Sequence, residues 1–440
     1  MNTMFSVLTV IFTLAYHLSA NADLQLFNRN KNLIQNSTIP GSTAESISIS
    51  LAPGTDYIKI YPKIPANNTK SELKLIATPI LNPTTSRVES DRSATSADAS
   101  IKGVLLGIYY GNQGWNMEQV QALESWQDKK NAVIQIFTNW ANDTTVINNL
   151  FNQQLPNIWN NKNVPMITWE PFTGDSSAPN DIEVQIANGK FDAYINNWAD
   201  RLKTYLAGAD GVYNTGDDRR VYLRLAHEMN GNWYPWSAAR GGNSPGEYVR
   251  MWKHTKDIFD GKGLDANHLQ WVWAVNRDDV GGYSAEQFYP GDTYVDWVAI
   301  DGYNWGTSQT WSRWETPEQV FGRMIDRLRA ITSKPLAITE VGSSTKTRFG
   351  TNVAAKSRWI TDFLNYVPAK DVKMVCWFNE DKETDWALFG GGNGYDSYRY
   401  DLKSYKRYTT YEIGITPSSY RDPDLTNPRL LSDKFFYGLM

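Results

Sequence analysis

The sequence predicts an α/β fold, a (β/α)8 TIM barrel preceded by a small β-rich N-terminal arm. Three observations carry this expectation. From residue 101 onward, eight short apolar runs of strand length recur along the chain. Amphipathic stretches of helical length separate most of them. The length, 440 residues, exceeds a typical domain but suits one barrel with additions. An open doubly wound sheet is the rival, yet no glycine-rich phosphate loop follows the first run.

Taken in order, residues 5–18 are apolar and lead into Ala20-Asn21-Ala22, an A-x-A cleavage pattern. Residues 1–22 therefore read as a secretory signal, and the product is expected to be secreted. An uncleaved anchor is the alternative, although the run is short for a span. Residues 23–81 alternate with period two in ESISISL, YIKIY and ELKLIA, with turns at Pro53-Gly54 and Asn67-Asn68. They read as an arm of short strands or as a small module, a carbohydrate-binding module being one option. Residues 82–100 are rich in Ser, Thr and charge and read as a linker. The barrel is assigned to 101–415, with strands at 104–110, 132–138, 164–170, 221–228, 269–275, 296–303, 335–340 and 372–378. Helices are expected at 118–129, 191–206, 245–259, 317–331 and 352–366, and the one after the fifth strand is short and poorly defined. Residues 416–440 form a C-terminal tail that pattern alone leaves unassigned.

Composition narrows the partners. Lys and Arg number 43 against 47 Asp and Glu, and the basic residues are scattered. Neither nucleic acid nor an anionic membrane surface is expected as a partner. The chain holds 18 Trp and 24 Tyr. A large core accounts for most of them, but many sit beside Gly, Asn or Pro at strand ends, where rings line clefts. Cys376 is the single cysteine, so no intrachain disulfide can form. Its setting, VKMVCWF, suggests a buried, inert thiol. N-x-[ST] sequons lie at Asn36, Asn67 and Asn142.

Chemistry in a barrel sits where the strands end. The stretch 221–236, VYLRLAHEMNGNWYPW, runs an apolar strand into His227 and Glu228, then an Asn-Gly turn and three rings. PLAITE likewise delivers Glu340 at the end of the seventh strand. Glycoside cleavage needs two facing carboxyls, one to protonate the leaving oxygen and one to attack the anomeric carbon, about 5–5.5 Å apart when configuration is retained. Ion-paired surface glutamates are the bland reading. Glu170 in TWEPF and Asp301 beside Gly302 are competitors at the third and sixth strands. Arg224 shares the side-chain parity of Glu228 and could point into the barrel, either tuning a carboxylate or pairing structurally. HEMNG lacks the second histidine of a zincin, and ADGVYNTGDD (209–218) lacks the spacing of a calcium loop. No metal and no cofactor are expected.

HEMNGNWYPW, IDGYNWG, ITEVG and a Trp ending the eighth strand resemble glycoside hydrolase family 26, over roughly 101–408. The resemblance implies Glu228 as acid/base and Glu340 as nucleophile. It implies that His227 orients the sugar or the acid and that Tyr303 hydrogen-bonds the nucleophile. Trp377 would floor the subsite before the cleaved bond, and Trp233 would line the cleft further along. Trp169, Trp236 and Trp305 are candidates for the same task or for packing. The implied activity is a secreted retaining endo-β-glycanase acting on β-1,4-mannan-type polysaccharide. Mixed-linkage β-glucan and β-1,3-xylan are alternative substrates, and a carbohydrate-binding barrel without activity is the alternative of another class.

Overall fold

The computed structural model describes residues 103–440, apart from 141–143, 175 and 242, together with six amino-terminal strands. Two units result, Met1–Ala97 and Asp98–Met440. In the first, Leu8–Tyr16 pairs antiparallel with Glu45–Leu51 and Leu73–Ile80. Asn21–Phe27 pairs likewise with Leu33–Ser37 and Tyr57–Lys63. The apolar run read as an export signal thus contributes a strand, and the period-two stretches do the same. The linker at 82–100 lies outside the described residues. Among the described residues, no helix is long and apolar enough to cross a membrane.

The second unit is a closed parallel barrel. Its strands are β1 (Val104–Tyr109), β2 (Val133–Asn139), β3 (Val164–Glu170), β4 (Val221–Leu225), β5 (Leu269–Asn276), β6 (Trp297–Asn304), β7 (Leu336–Ser343) and β8 (Met374–Phe378). Each pairs with the next, and β8 pairs with β1 to close the ring. The surrounding helices include α1 (Glu118–Gln127), α2 (Asp192–Leu206), α3 (Pro245–Gly261), α4 (Pro317–Ile331), α5 (Val353–Ala369) and α6 (Thr409–Ile415). Two of their starts are written in the sequence. Ser244 with Glu247 and Thr316 with Gln319 form capping boxes, each followed by proline at the first helical position. Between β5 and β6 stands one turn of 3-10 helix, Ala285–Phe288, where the helical pattern was poorest.

Strand alternation sorts the side chains. Along β4, Val221, Leu223 and Leu225 join the core against the helices, while Tyr222 and Arg224 face inward. Along β8, Met374, Cys376 and Phe378 face the interior. Trp377 therefore points outward, and its ring packs on Trp359 and Phe363 of α5 and Tyr411 of α6 at 6.0–6.2 Å. The expectation that Trp377 floors a sugar subsite is corrected: the residue is on the wrong face of its strand.

The tail finds its place at the other end of the barrel. Tyr420–Arg421 adds a short parallel strand to β1. Leu430, Leu431, Phe436 and Met440 are buried against Tyr222, Trp297 and Met374. The Phe436 carbonyl accepts from Tyr222 Oη at 3.2 Å and from Trp297 Nε1 at 3.3 Å. Residues 430–440 thus plug the amino-terminal mouth of the barrel.

Candidate active site

The opposite mouth is built first by β4. After Leu225 the backbone leaves extended geometry, and Ala226 and Glu228 take positive φ values of 43° and 53°. Such left-handed residues cost about 1–3 kcal/mol each unless the surroundings fix them. They are fixed here from both sides. Ala226 N–H donates to Trp169 O of β3 at 3.0 Å, and Glu228 N–H donates to Ala274 O of β5 at 2.9 Å. The kink turns the Glu228 carboxyl into the mouth. Gly231 closes the turn by donating to Glu228 O at 2.9 Å. A Cβ at Gly231 would meet the Trp233 indole at 2.5 Å, so only glycine lets that ring lie over the turn. From there Trp233 Nε1 donates to Glu228 Oε2 at 2.8 Å.

The second carboxyl depends on a bulge in β7. Pairing with β6 slips after Ile300, so that Asp301 lies opposite Glu340 and Thr339 is the extra residue. Thr339 Oγ1 then donates to Asp301 Oδ1 at 2.7 Å, and the adjacent Glu340 also reaches the interior. Glu340 Oε2 accepts from Tyr303 Oη at 2.5 Å, and Oε1 accepts from Arg224 Nη2. Arg224, fully buried, donates through Nη1 to Asp301 Oδ2 at 2.6 Å and through Nε to Thr168 Oγ1 at 2.9 Å. One guanidinium therefore bridges two buried carboxylates.

The charges are unbalanced, and proton affinities respond. Burial pushes the Glu228 carboxyl well above the usual carboxylate range, and the charges of Asp301 and Glu340 push the same way. Trp233 and Arg224 oppose them less strongly. Burial also raises Asp301 to about 7 against the pull of Arg224. Glu170 at the end of β3 is raised to about 7, again chiefly by burial. Burial holds His227 well below its ordinary value, so the imidazole is neutral near pH 7. Its Nε2 lies 3.9 Å from Glu340 Oε1, which is then a polar contact and no ion pair. The same nitrogen shares a 3.0 Å hydrogen bond with Tyr234 Oη.

Rings wall this bowl. Tyr109, Phe378 and Trp386 cluster with Phe137, Tyr303 and Trp305. Trp386 lies 4.7 Å from Tyr303 and 4.7 Å from Trp305, and Trp305 lies 5.2 Å from Trp311, which is 69% exposed. The row leads from the carboxyls out to solvent.

The sequence profile of Glycosyl hydrolase family 26 matches residues 100–316. Endoglucanase H of Acetivibrio thermocellus is 35% identical over 303 residues, covering 68% of this chain and 30% of that protein. Mannan endo-1,4-beta-mannosidase A and B of Caldalkalibacillus mannanilyticus is 28% identical over 270 residues, covering 56% of this chain and 50% of that one. The chain thus spans half or less of the length of these relatives. The catalytic domain of the Bacillus sp. JAMB-750 GH26 endo-beta-1,4-mannanase superposes with a TM-score of 0.51 at 19% identity, over 74% of this chain and 88% of that one, and shares the fold. The chain belongs to glycoside hydrolase family 26.

The profile match ends before β7, so within this family 26 barrel the place of Glu340 rests on geometry. Glu228, His227, Trp233, Tyr303 and Glu340 do converge on one mouth. Arg224, a parity argument in the sequence, points into the barrel and meets both Asp301 and Glu340. Trp305 joins the bowl. Trp169 is core, stacked on Trp198 at 4.4 Å, and Trp236 supports Tyr234 from behind at 4.4 Å. Trp386 was missed. It stands eight residues beyond β8 in a glycine-rich loop, and its only sequence signal is a tryptophan among polar residues, DKETDWALFGGG. The acidic loop at 209–218 turns its carboxylates mainly on its own backbone, and Asp218 also faces His268 Nε2 at 2.7 Å. Asp217 Oδ2 accepts from Ala209 N–H and Asp210 N–H, and Asp218 Oδ2 accepts from Asn214 N–H and Thr215 N–H. Cys376 is buried in the barrel interior, where burial raises its thiol far above the ordinary range.

Proposed function

We propose that this barrel is a retaining endo-β-glycanase. The observation that carries the reading is the division of labour between Glu228 and Glu340 in one ring-walled mouth. Glu340 accepts one hydrogen bond on each oxygen, from a guanidinium and a phenol, which are pure donors to a carboxylate. It is dressed to attack the anomeric carbon. Glu228 is buried and kept protonated, which suits it to protonate the leaving oxygen. The Glu340 charge is one of the forces holding that proton. Glu228 gives its proton to the departing oxygen as the sugar esterifies Glu340. With the Glu340 charge gone, Glu228 is then at ease as a carboxylate and takes a proton from the attacking water as general base. Neutral His227 and Tyr234 supply hydrogen bonds to ring hydroxyls without adding charge. The pair Trp305 and exposed Trp311, backed by buried Trp386, supports binding along a chain rather than at its end.

The substrate proposed is β-1,4-mannan, in keeping with the mannanase among the relatives. A second reading, cleavage of β-glucan, is favoured by the 35% identity to Endoglucanase H. Export through the amino-terminal segment is part of the proposal and rests on the sequence of residues 1–22 alone. The test is release of reducing ends from purified mannan, mixed-linkage β-glucan and β-1,3-xylan by wild type and by Glu340→Ala. The wild type is expected to act on one of these, and Glu340→Ala to lose about 10⁴-fold or more of kcat. Equal rates for the two would remove Glu340 as nucleophile. Inverted anomeric configuration in the first-formed product would remove double displacement.

A further inference from the structure

Lys356 lies on α5 and is fully buried, although among the described residues no carboxylate oxygen accepts a hydrogen bond from it. Its Nζ donates to two backbone carbonyls, Asp385 O and, at 2.8 Å, Ala387 O. These carbonyls bracket Trp386. The carbonyl between them, Trp386 O, accepts from Trp377 Nε1 at 3.0 Å. Three consecutive carbonyls of one loop are thus held from behind the barrel wall by two side chains. The face of Tyr408 covers the ammonium at 5.0 Å. The Asp385 side chain ties the same loop to β7's extension, accepting from Ser344 Oγ at 2.9 Å and Thr345 N–H at 3.1 Å. On its other side the loop presents the Trp386 indole to Tyr303, the donor to Glu340.

Burying an ammonium is costly, and the two carbonyls together with the nearby charges of Asp385 and Asp381 offset only part of that. An apolar residue at 356 would fill the space more cheaply but leave both carbonyls unpaired. What the charged residue gives in exchange is a fixed height for the loop. We infer that Lys356 is a positioning residue: anchored to the carbonyls on either side of Trp386, it holds that buried indole against Tyr303 and so fixes the phenol that donates to Glu340. Lys356 touches no substrate. Its effect on turnover passes through Trp386, and that part of the inference rests on the glycanase reading above.

The experiment combines a double-mutant cycle with hydrogen exchange. Lys356→Met removes both donors, Lys356→Gln keeps two N–H groups without charge, and Trp386→Ala removes the indole. Lys356→Met is expected to lower kcat/KM about 10- to 100-fold, the scale of a small misplacement of Tyr303 against Glu340, and Lys356→Gln to recover most of it. Lys356→Met combined with Trp386→Ala is expected to be no slower than Trp386→Ala alone, within about 2-fold, because both act through one ring. Lys356→Ala replaces the Met variant if the latter does not fold. Amide exchange in a peptide covering 383–390 is expected to quicken in Lys356→Met at Leu388 and Phe389, whose N–H groups donate to Asn379 Oδ1. Additive losses of activity, or unchanged exchange in that peptide, would overturn the inference. Failure of the wild type on every glycan would sink the glycanase reading instead and leave the exchange test standing.

Discussion

The two ends of the barrel are made from the same eight strands and treat buried polarity in opposite ways. At the plugged end the buried cation is answered on every side. Arg220 donates to Asn267 O at 3.1 Å and Leu431 O at 2.6 Å and pairs with Asp433, and its guanidinium covers the Phe436 ring at 4.6 Å. At the open end, four residues further along the same strand, Arg224 faces Asp301 and Glu340 directly and feels Glu228 as well. One cation serves more carboxyls than it can neutralise, so protons make up the difference. The plugged end is built for stability. The open end stores strain at Ala226 and Glu228 and keeps its charges in tension, which is the usual condition of a working site.

The sharpest way to break this contrast is at Arg224. Arg224→Met leaves Asp301 and Glu340 buried without their cation, which is expected to cost about 3–5 kcal/mol of stability. The two carboxyls would then take up protons rather than stay charged. A protonated Glu340 cannot attack, so activity near pH 7 is expected to fall by about 10³-fold or more. Urea unfolding and glycan hydrolysis on the same preparation check both. Stability lost with kcat near wild type would show that Arg224 is structural only.

The plugged end should respond in the other currency. Phe436→Ala removes a fully buried ring under Tyr222 and Arg220 and is expected to destabilise the chain by about 3–5 kcal/mol. In material still folded at 25 °C, kcat and KM should stay within about 2-fold of wild type, since additive, distant sites do not share partners. A change in kcat as large as the change in stability would mean that the two ends are coupled.

What the sequence could show follows the same division. Period-two and apolar runs located all eight strands, because a barrel strand buried on both sides must be apolar throughout. Glu228 and Glu340 were legible because each is a carboxylate delivered by such a run. Arg224 was legible by parity. Trp377 was placed in the cleft by the family resemblance alone, without counting the faces of its strand. Cys376 and Gly107 are paired neighbours inside the barrel, where a Cβ on Gly107 would meet Cys376 Sγ at 2.5 Å. That crowding marks position 376 as inward and hence 377 as outward. The β7 bulge left no trace in local pattern, since an extra residue such as Thr339 is defined only by its partner strand. The tail, with Phe435, Phe436, Leu439 and Met440 in its last six residues, was too apolar to be left in solvent, but nothing local said which surface it covers.

The smallest expected effect tests the charge imbalance through pH. Burial raises Asp301 and Glu170 to about 7 and Glu183 to about 8. Glu183 sits on the short helix Ile182–Ala187 packed beside α3, away from the mouth, and neither of its oxygens has a hydrogen-bond partner among the described residues. For each of these carboxyls the folded state holds a proton that the unfolded chain has already lost above pH 4–5, so stability falls as pH rises through the folded value. His227 works in the opposite direction, because its folded value is depressed, but its window closes at the ordinary histidine value of about 6.5. Lys356, held down to about 8, opposes the carboxyls only above that pH. Between about pH 6.5 and 8, then, the raised carboxyls dominate and stability is expected to decline. Glu183→Gln takes one of them out without touching the mouth. It should shrink the decline by about 1.6 kcal/mol, somewhat less than the ~2 kcal/mol of one full group over that span, and leave the pH profile of kcat unchanged. Urea midpoints at pH 6.5, 7.25 and 8 measure it: a wild-type stability that rises across this window, or a variant with the same slope as wild type, would show that these buried carboxyls do not carry the protons the structure assigns them.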